Sequence, residues 1–195
     1  GARKRAALPP GEGGLPRMKI VKWLLAVLVI AAVTHAALLY FGPSLVMNRA
    51  MAVVAAGSGI NTMSHAPRPT ADTDRIVRSS PDLLYSICPY DLGDGPLRIN
   101  AEVPPGTYWS MSFYDMNTNN YRVINDGQAS AGAVLIVLMK AGTLGPAPAG
   151  AELVASPTPR GIVLIRTLVN DERSLQAIDT VRRRAACTTL QMPLE

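Results

Sequence analysis

Apolar residues run uninterrupted by charge from Trp23 to Phe41 (WLLAVLVIAAVTHAALLYF). At 1.5 Å per residue this stretch spans roughly 29 Å as a helix, close to the hydrocarbon thickness of a bilayer. Trp23 and Tyr40 stand at its two ends, where amphipathic rings favour the headgroup level. The pattern predicts one transmembrane helix over 23–41. Gly42-Pro43 is expected to stop it, because proline lacks the amide donor and clashes with the preceding turn. The next stretch, SLVMNRAMAVVAA (44–56), puts Leu45, Met47, Met51, Val54 and Ala55 on one side. It predicts a short helix that lies on the membrane or leads into the domain, ended by Gly57-Ser58-Gly59. Asn61 to Thr70, with two prolines, reads as a linker in which His65 is solvated.

From Asp72 onward the period changes. Leu83 to Tyr90 (LLYSICPY) is apolar and rich in β-formers. Pro96 to Val103 alternates Leu97, Ile99, Ala101 and Val103 with Arg98, Asn100 and Glu102. Tyr108 to Tyr114 alternates again, with Trp109, Met111 and Phe113 on one face and Tyr108, Ser110, Ser112 and Tyr114 on the other. Tyr121–Ile124, Val134–Leu138, Glu152–Ala155 and Ile162–Leu168 complete the strands, with turn residues between them. A last helix is expected from Glu172 to Ala185, capped by Asn170 or Asp171, with Leu175, Ile178 and Val181 inward and Arg182-Arg183-Arg184 at its negative end. Short strands at this spacing predict a mainly β fold: an antiparallel sandwich or jelly-roll-like domain with a C-terminal helix, preceded by one transmembrane helix.

Charge adds an orientation. Residues 1–22 hold six Lys/Arg and one Glu, so the whole net charge of +5 sits there, and residues 23–195 balance to zero. A basic head before the span and only Arg49 in the segment 42–66 after it put the N-terminus in the cytoplasm and the domain in the periplasm of a bacterial inner membrane. The same imbalance argues against a nucleic-acid surface on the folded part. The domain scheme is a basic head (1–22), the span (23–41), a juxtamembrane helix with linker (42–71) and an extracytoplasmic domain (72–195). A cleaved secretory signal is the rival reading, with Met18–Lys22 as n-region. The apolar run extends well past the length of a signal core, which favours an uncleaved anchor. Met18-Lys19 has the form of a translation start, which would make residues 1–17 an upstream extension.

Two cysteines, Cys88 and Cys187, fall on the oxidising side of this topology. A bridge between them would tie the last helix to an early strand; the other reading is two buried thiols that behave as small hydrophobes.

Candidate chemistry is sparse. Asp115-Met116-Asn117-Thr118-Asn119-Asn120-Tyr121 is the most polar cluster in the domain. Its spacing only loosely follows a calcium loop, lacking the glycine and the terminal glutamate, so turn chemistry or a binding-site rim accounts for it better. Arg78 and Asp82 are placed to pair, or to flank a pocket with Tyr85. Arg166 lies among apolar residues, so its head must leave the core or meet a carboxylate, with Asp82 or Asp115 the expected partner. His35 within the span is an ionisable group that a partner helix would contact. There is no G-x-S-x-G, S-x-x-K or H-E-x-x-H, no His/Cys metal set, and no histidine in the strand-rich region to act as general base. No cofactor or metal is expected, and an enzyme would have to work with Asp, Arg and Tyr alone.

The segments DTDRIVRSSPDLLYSICPYDLGDGPLRI and GTYWSMSFYDMNTNNY, followed by Ser156-Pro157-Thr158 and Arg166-Thr167-Leu168-Val169, resemble the bacterial family called domain of unknown function (DUF) 1254. The resemblance covers about Asp72 to Cys187. It implies a β-rich sandwich-like fold and no particular activity. Many family members carry a second domain, of unknown function 1214, and the resemblance therefore implies a separately encoded companion of that type. Ser80-Pro81-Asp82-Leu83-Leu84-Tyr85 departs from the family's N-x-D-T-L-Y. The expectation is a short, membrane-anchored form: a non-catalytic binding or assembly module that docks the companion, contacts membrane lipid and takes a small or lipid-like ligand. The alternative is a periplasmic hydrolase with a site at Asp82, Asp115 and Arg166.

Overall fold

The computed structural model of the chain describes residues 17–70, 79–129, 132–143 and 148–190. The chain divides into two compact units, residues 1–42 and residues 43–195. In the first, the apolar run is helical and exposed along its length, and among the described residues it belongs to one helix long and apolar enough to cross a membrane. That helix, α1 (Arg17–Ser58), does not end at Gly42-Pro43; Pro43 lies inside it. A proline inside a helix removes one hydrogen bond and costs about 3 kcal/mol. The residues after it can offset that cost, because they form the apolar stripe that buries Met47 and Met51. The two predicted helices are one element. It stops where glycine allows the chain to turn, at Gly59 with φ 90°.

The second unit is mainly β. Among the described residues nine strands follow in order: β1 (Ser64–His65), β2 (Leu83–Asp91), β3 (Leu97–Glu102), β4 (Trp109–Asp115), β5 (Asn120–Asn125), β6 (Ala133–Lys140), β7 (Glu152–Ser156), β8 (Arg160–Leu168) and β9 (Ala186–Thr189), with helix α2 (Leu175–Arg182) between the last two. They form a five-stranded sheet ordered β1-β2-β8-β4-β5 and a four-stranded sheet ordered β7-β6-β3-β9. All pairings are antiparallel except β6–β7, which is parallel.

The alternation read from sequence sets the core. Leu97, Ile99 and Ala101 of β3 meet Trp109, Met111 and Phe113 of β4 between the sheets, joined by Ile136, Leu138, Val163 and Ile165. Cys88 of β2 and Cys187 of β9 are bonded to each other, so the bridge staples one sheet to the other. Its C-terminal end is in a strand, not in the last helix as expected. Helix α2 is shorter than its sequence signal, Leu175–Arg182 instead of 172–185, and its N-cap Ser174 makes no side-chain cap bond. Asp171 instead accepts the Ser174 amide at 2.8 Å, fixing the turn before the helix. Asn61 to Ala66, expected as linker, belongs to the sheet: Asn61 donates its amide to Pro89 O at 2.8 Å, Met63 is in the core, and His65 pairs with Ser86.

Gly161 fixes how closely β4 and β8 meet the core. A Cβ there would overlap the Tyr114 carbonyl oxygen and the Tyr90 hydroxyl. The Tyr90 hydroxyl cannot retreat freely, since it bonds Ser156 Oγ at 2.8 Å and donates to Tyr114 O at 3.2 Å. Gly161→Ala is expected to lower stability by about 3 kcal/mol. Urea unfolding followed by tryptophan fluorescence checks it, with an unchanged midpoint as the contrary result.

Candidate functional site

Strands β2 and β8 of the five-stranded sheet carry apolar residues on both faces. The sheet's inner face packs in the core. Its outer face presents Leu83, Tyr85 and Ile87 from β2, Ile162, Leu164 and Arg166 from β8, and Tyr114 from β4. The last turns of α1 stand against this face through Val46, Met47, Ala50 and Val54, and Ala66, Pro67, Pro69, Ser80 and Thr118 form the rim. Between them lies an open cleft of about 770 Å³, within the usual size of small-molecule sites.

Arg166 is the cation on the cleft floor. In register it faces Tyr85 on one side and Ser110 on the other. Its Nη2 donates to the Tyr114 hydroxyl at 2.9 Å. Tyr114 pairs in register with Ile162, so the two side chains reach toward each other along the sheet, past Ser112, whose small side chain leaves the space. The expected carboxylate partner is a correction: neither Asp82 nor Asp115 pairs with Arg166. The Tyr85 hydroxyl accepts the Ser80 amide at 2.9 Å, pinning the rim to the floor.

The remaining sequence candidates lie elsewhere. Asp82 is exposed before β2, where its carbonyl accepts from Val169 N at 2.8 Å. Asp115 pairs in register with Gly161 at the other end of β8. The offset between positions 169 and 161 puts these two backbones about 26 Å apart. The Asp115 carboxylate is buried and serves its own turn: Oδ1 accepts the amides of Asn117 at 2.8 Å and Asn119 at 2.9 Å, and Oδ2 accepts Asn119 Nδ2 at 2.9 Å. This is the turn chemistry that the sequence suggests, and it holds Thr118 at φ 65°, a strained conformation for a β-branched residue, on the cleft rim. Asn119 in that turn and Asn120 at the start of β5 are exposed. Tyr121 points inward, its hydroxyl 3.1 Å from that of Tyr90, and burial pushes both phenols up, holding them protonated. Arg78 lies outside the described residues. The structure thus brings Tyr85, Thr118 and Arg166 together with Tyr114, and leaves Asp82, Asp115 and Tyr121 apart from them.

Beneath the rim, Arg182 of α2 is almost fully buried and holds three elements. Nη1 donates to Tyr85 O at 2.6 Å and Ala66 O at 3.1 Å, Nε donates to Asp179 Oδ1 at 2.8 Å, and Nη2 also pairs with Asp179. Burial would raise the Asp179 carboxyl, but the bonds from Arg183 and Arg182 outweigh it and hold it below its ordinary value. Nearby, His65 Nδ1 lies 2.8 Å from Ser86 Oγ. Burial lowers the His65 pKa, the charges of Arg182 and Arg183 lower it further, and the Ala185 carbonyl and Asp179 oppose them. A histidine harder to protonate folded than unfolded lets the unfolded chain bind the extra proton. Stability is therefore full above the ordinary value of 6.5 and falls as pH drops below it. The Asp179 loss has the same sign but begins lower, near the ordinary carboxylate value of 3.8. His65→Asn, whose amide takes the place of Nδ1, is expected to flatten the melting temperature between about pH 6.5 and 5 while leaving the loss at lower pH. A wild-type profile already flat in the upper window would contradict this.

Two packed sheets, a short C-terminal helix, a long apolar N-terminal helix and a cleft on the outer sheet face define a mainly β module. The chain belongs to the family described as Protein of unknown function (DUF1254), whose profile matches residues 60–189. Two crystal structures share the fold. One is the VPA0106 protein from Vibrio parahaemolyticus, with TM-score 0.64 and 13% identity over 82% of this chain and 40% of that chain. The other is an uncharacterized protein from Burkholderia cenocepacia, with TM-score 0.50 and 18% identity over 83% of this chain and 44% of that chain. The chain therefore spans less than half the length of either. No curated protein matches in sequence.

Proposed function

We propose that the chain is a membrane-anchored, non-catalytic module of the bacterial cell envelope. Its periplasmic domain holds a small or lipid-like ligand and docks a companion protein of the 1214 type. The observation that carries this reading is the cleft of about 770 Å³ on the outer face of the β2-β8-β4 sheet, apolar apart from a few polar groups. The apolar run of α1, exposed along its length, supports anchoring, and the basic head supports a cytoplasmic N-terminus. The buried Cys88–Cys187 bond supports an oxidising compartment. Both solved relatives have chains that extend well beyond the part this domain spans, which supports a second domain beside it.

The hydrolase reading finds no support in the geometry: its two carboxylates sit at opposite ends of β8, and one is consumed by its own turn. Solvent extraction of the full chain, purified in lipid nanodiscs, tests the ligand. The wild type is expected to carry one compound enriched over empty nanodiscs, and Leu164→Trp, which puts a bulky ring on the cleft floor, is expected to carry less of it. No enrichment would contradict the binding role. Crosslinking in membranes is expected to recover a stoichiometric companion, and a clean monomer would contradict the docking role.

A further inference from the structure

Resting on the ligand-binding reading above, we propose that the cleft takes a single-tailed amphiphile with a small anionic head, held by Arg166 and Tyr114. Among the described residues, four arginines are not exposed: Arg68, Arg160, Arg166 and Arg182. Three of them meet a carboxylate: Arg68 pairs with Glu172 at 2.5 Å, Arg160 with Asp91 at 3.4 Å, and Arg182 with Asp179. Arg166 makes no ion pair among the described residues; its hydrogen bond there goes to the neutral Tyr114 hydroxyl. A half-buried cation on an apolar floor is costly unless an anion meets it. The guanidinium has five donors in a planar fork, and the bond to Tyr114 uses one. The Tyr114 oxygen accepts that bond and keeps its own proton to donate. The pair therefore presents guanidinium N–H and phenol O–H donors to one head, the arrangement that makes charge-assisted bonds to a carboxylate or phosphate.

The rest of the cleft selects the tail. Leu164, Ile162 and Ile87 on the floor and Met47, Val46 and Val54 on the wall offer only apolar contact. A free inorganic anion would gain the head contact and leave that surface wet, and an uncharged hydrocarbon would leave Arg166 unpaired. A single tail with one charged end uses both halves of the site.

Photo-crosslinking tests this with the full chain in nanodiscs. The probes are diazirine-bearing dodecanoate and the alcohol and amine of the same chain length, and mass spectrometry of the labelled peptides gives the readout. Dodecanoate is expected to label residues 44–54 and β8 about tenfold more than either other probe. Arg166→Gln is expected to abolish that preference while keeping the Cys88–Cys187 bond. Equal labelling of these segments by all three probes would overturn the assignment of the head and leave a ligand cleft in place. Labelling confined to the apolar segment 23–41 would overturn both the head assignment and the binding role. The wild-type comparison decides between these results even if the variant does not fold.

Discussion

Replacing Cys88 and Cys187 together by alanine is expected to lower the unfolding free energy by about 4–5 kcal/mol. The bond joins residues 99 apart, and closing a loop of that size removes about this much chain entropy from the unfolded state. It joins β2, second in the five-stranded sheet, to β9, the edge of the four-stranded sheet, so the two sheets are covalently held. The other tie between the sheets is the packed core. β9 has four residues and, among the described strands, pairs with β3. The alanines fit the buried site, so the loss comes mainly from the unfolded chain rather than from a cavity. Thermal unfolding with and without reductant reads the effect as a fall in midpoint on the order of 10 °C. Identical midpoints in the two conditions would mean that the sheets hold each other by packing alone.

Arg182→Met is expected to cost about 3 kcal/mol. Methionine keeps the apolar stem and removes the fork, which leaves the carbonyls of Tyr85 and Ala66 short of a donor and the Asp179 carboxylate without its buried partner. Arg183→Met is the control. Arg183 also pairs with Asp179, at 2.8 Å, but its side chain is 54% exposed, and an exposed pair of this kind contributes well under 1 kcal/mol. Chemical denaturation of both variants checks the contrast. The site should respond too. Ala66 is on the cleft rim and Tyr85 on its floor, so amide exchange in residues 64–67 and β2 is expected to quicken in Arg182→Met and not in Arg183→Met. Equal losses would show that Arg182 acts only as a helix-end charge.

That last reading is the one the sequence favours, and the reason is instructive. Arg182-Arg183-Arg184 looks like three equivalent cations at a helix end. Burial distinguishes the first only because the helix packs with that side inward, which no local pattern records. Strands β3 and β4 were legible because one face is polar and the other apolar, or aromatic against hydroxyl. β1 was not legible, since two residues just ahead of Pro67 and Pro69 carry no period. β9 was hidden because ACTT is four residues long and follows an arginine run. Pro43 misled for a different reason: a local helix-breaker was offset by packing further along the chain.

The cleft left a signal of another kind. LLYSICPY and GIVLIRTLV are apolar at odd and even positions alike, which a one-sided sheet does not need. Such strands require a cover on the outer face, and the stripe of Met47, Ala50 and Val54 is that cover. Arg166 is the charge flanked by Leu164 and Leu168 in the second strand's outer set, so its place in a site was readable, while its partner was not. Tyr114 reaches it across four positions of the sheet, a relation that only the register supplies.

Central to the proposed function is a stapled sandwich on the oxidising side of a membrane. The most direct measurement traps the thiols of the full chain in acid-quenched cells and alkylates them with a maleimide that adds mass. The account predicts no added mass before reduction and two tags after it. Two tags before reduction would place the domain in a reducing compartment and contradict the anchor's orientation together with the staple.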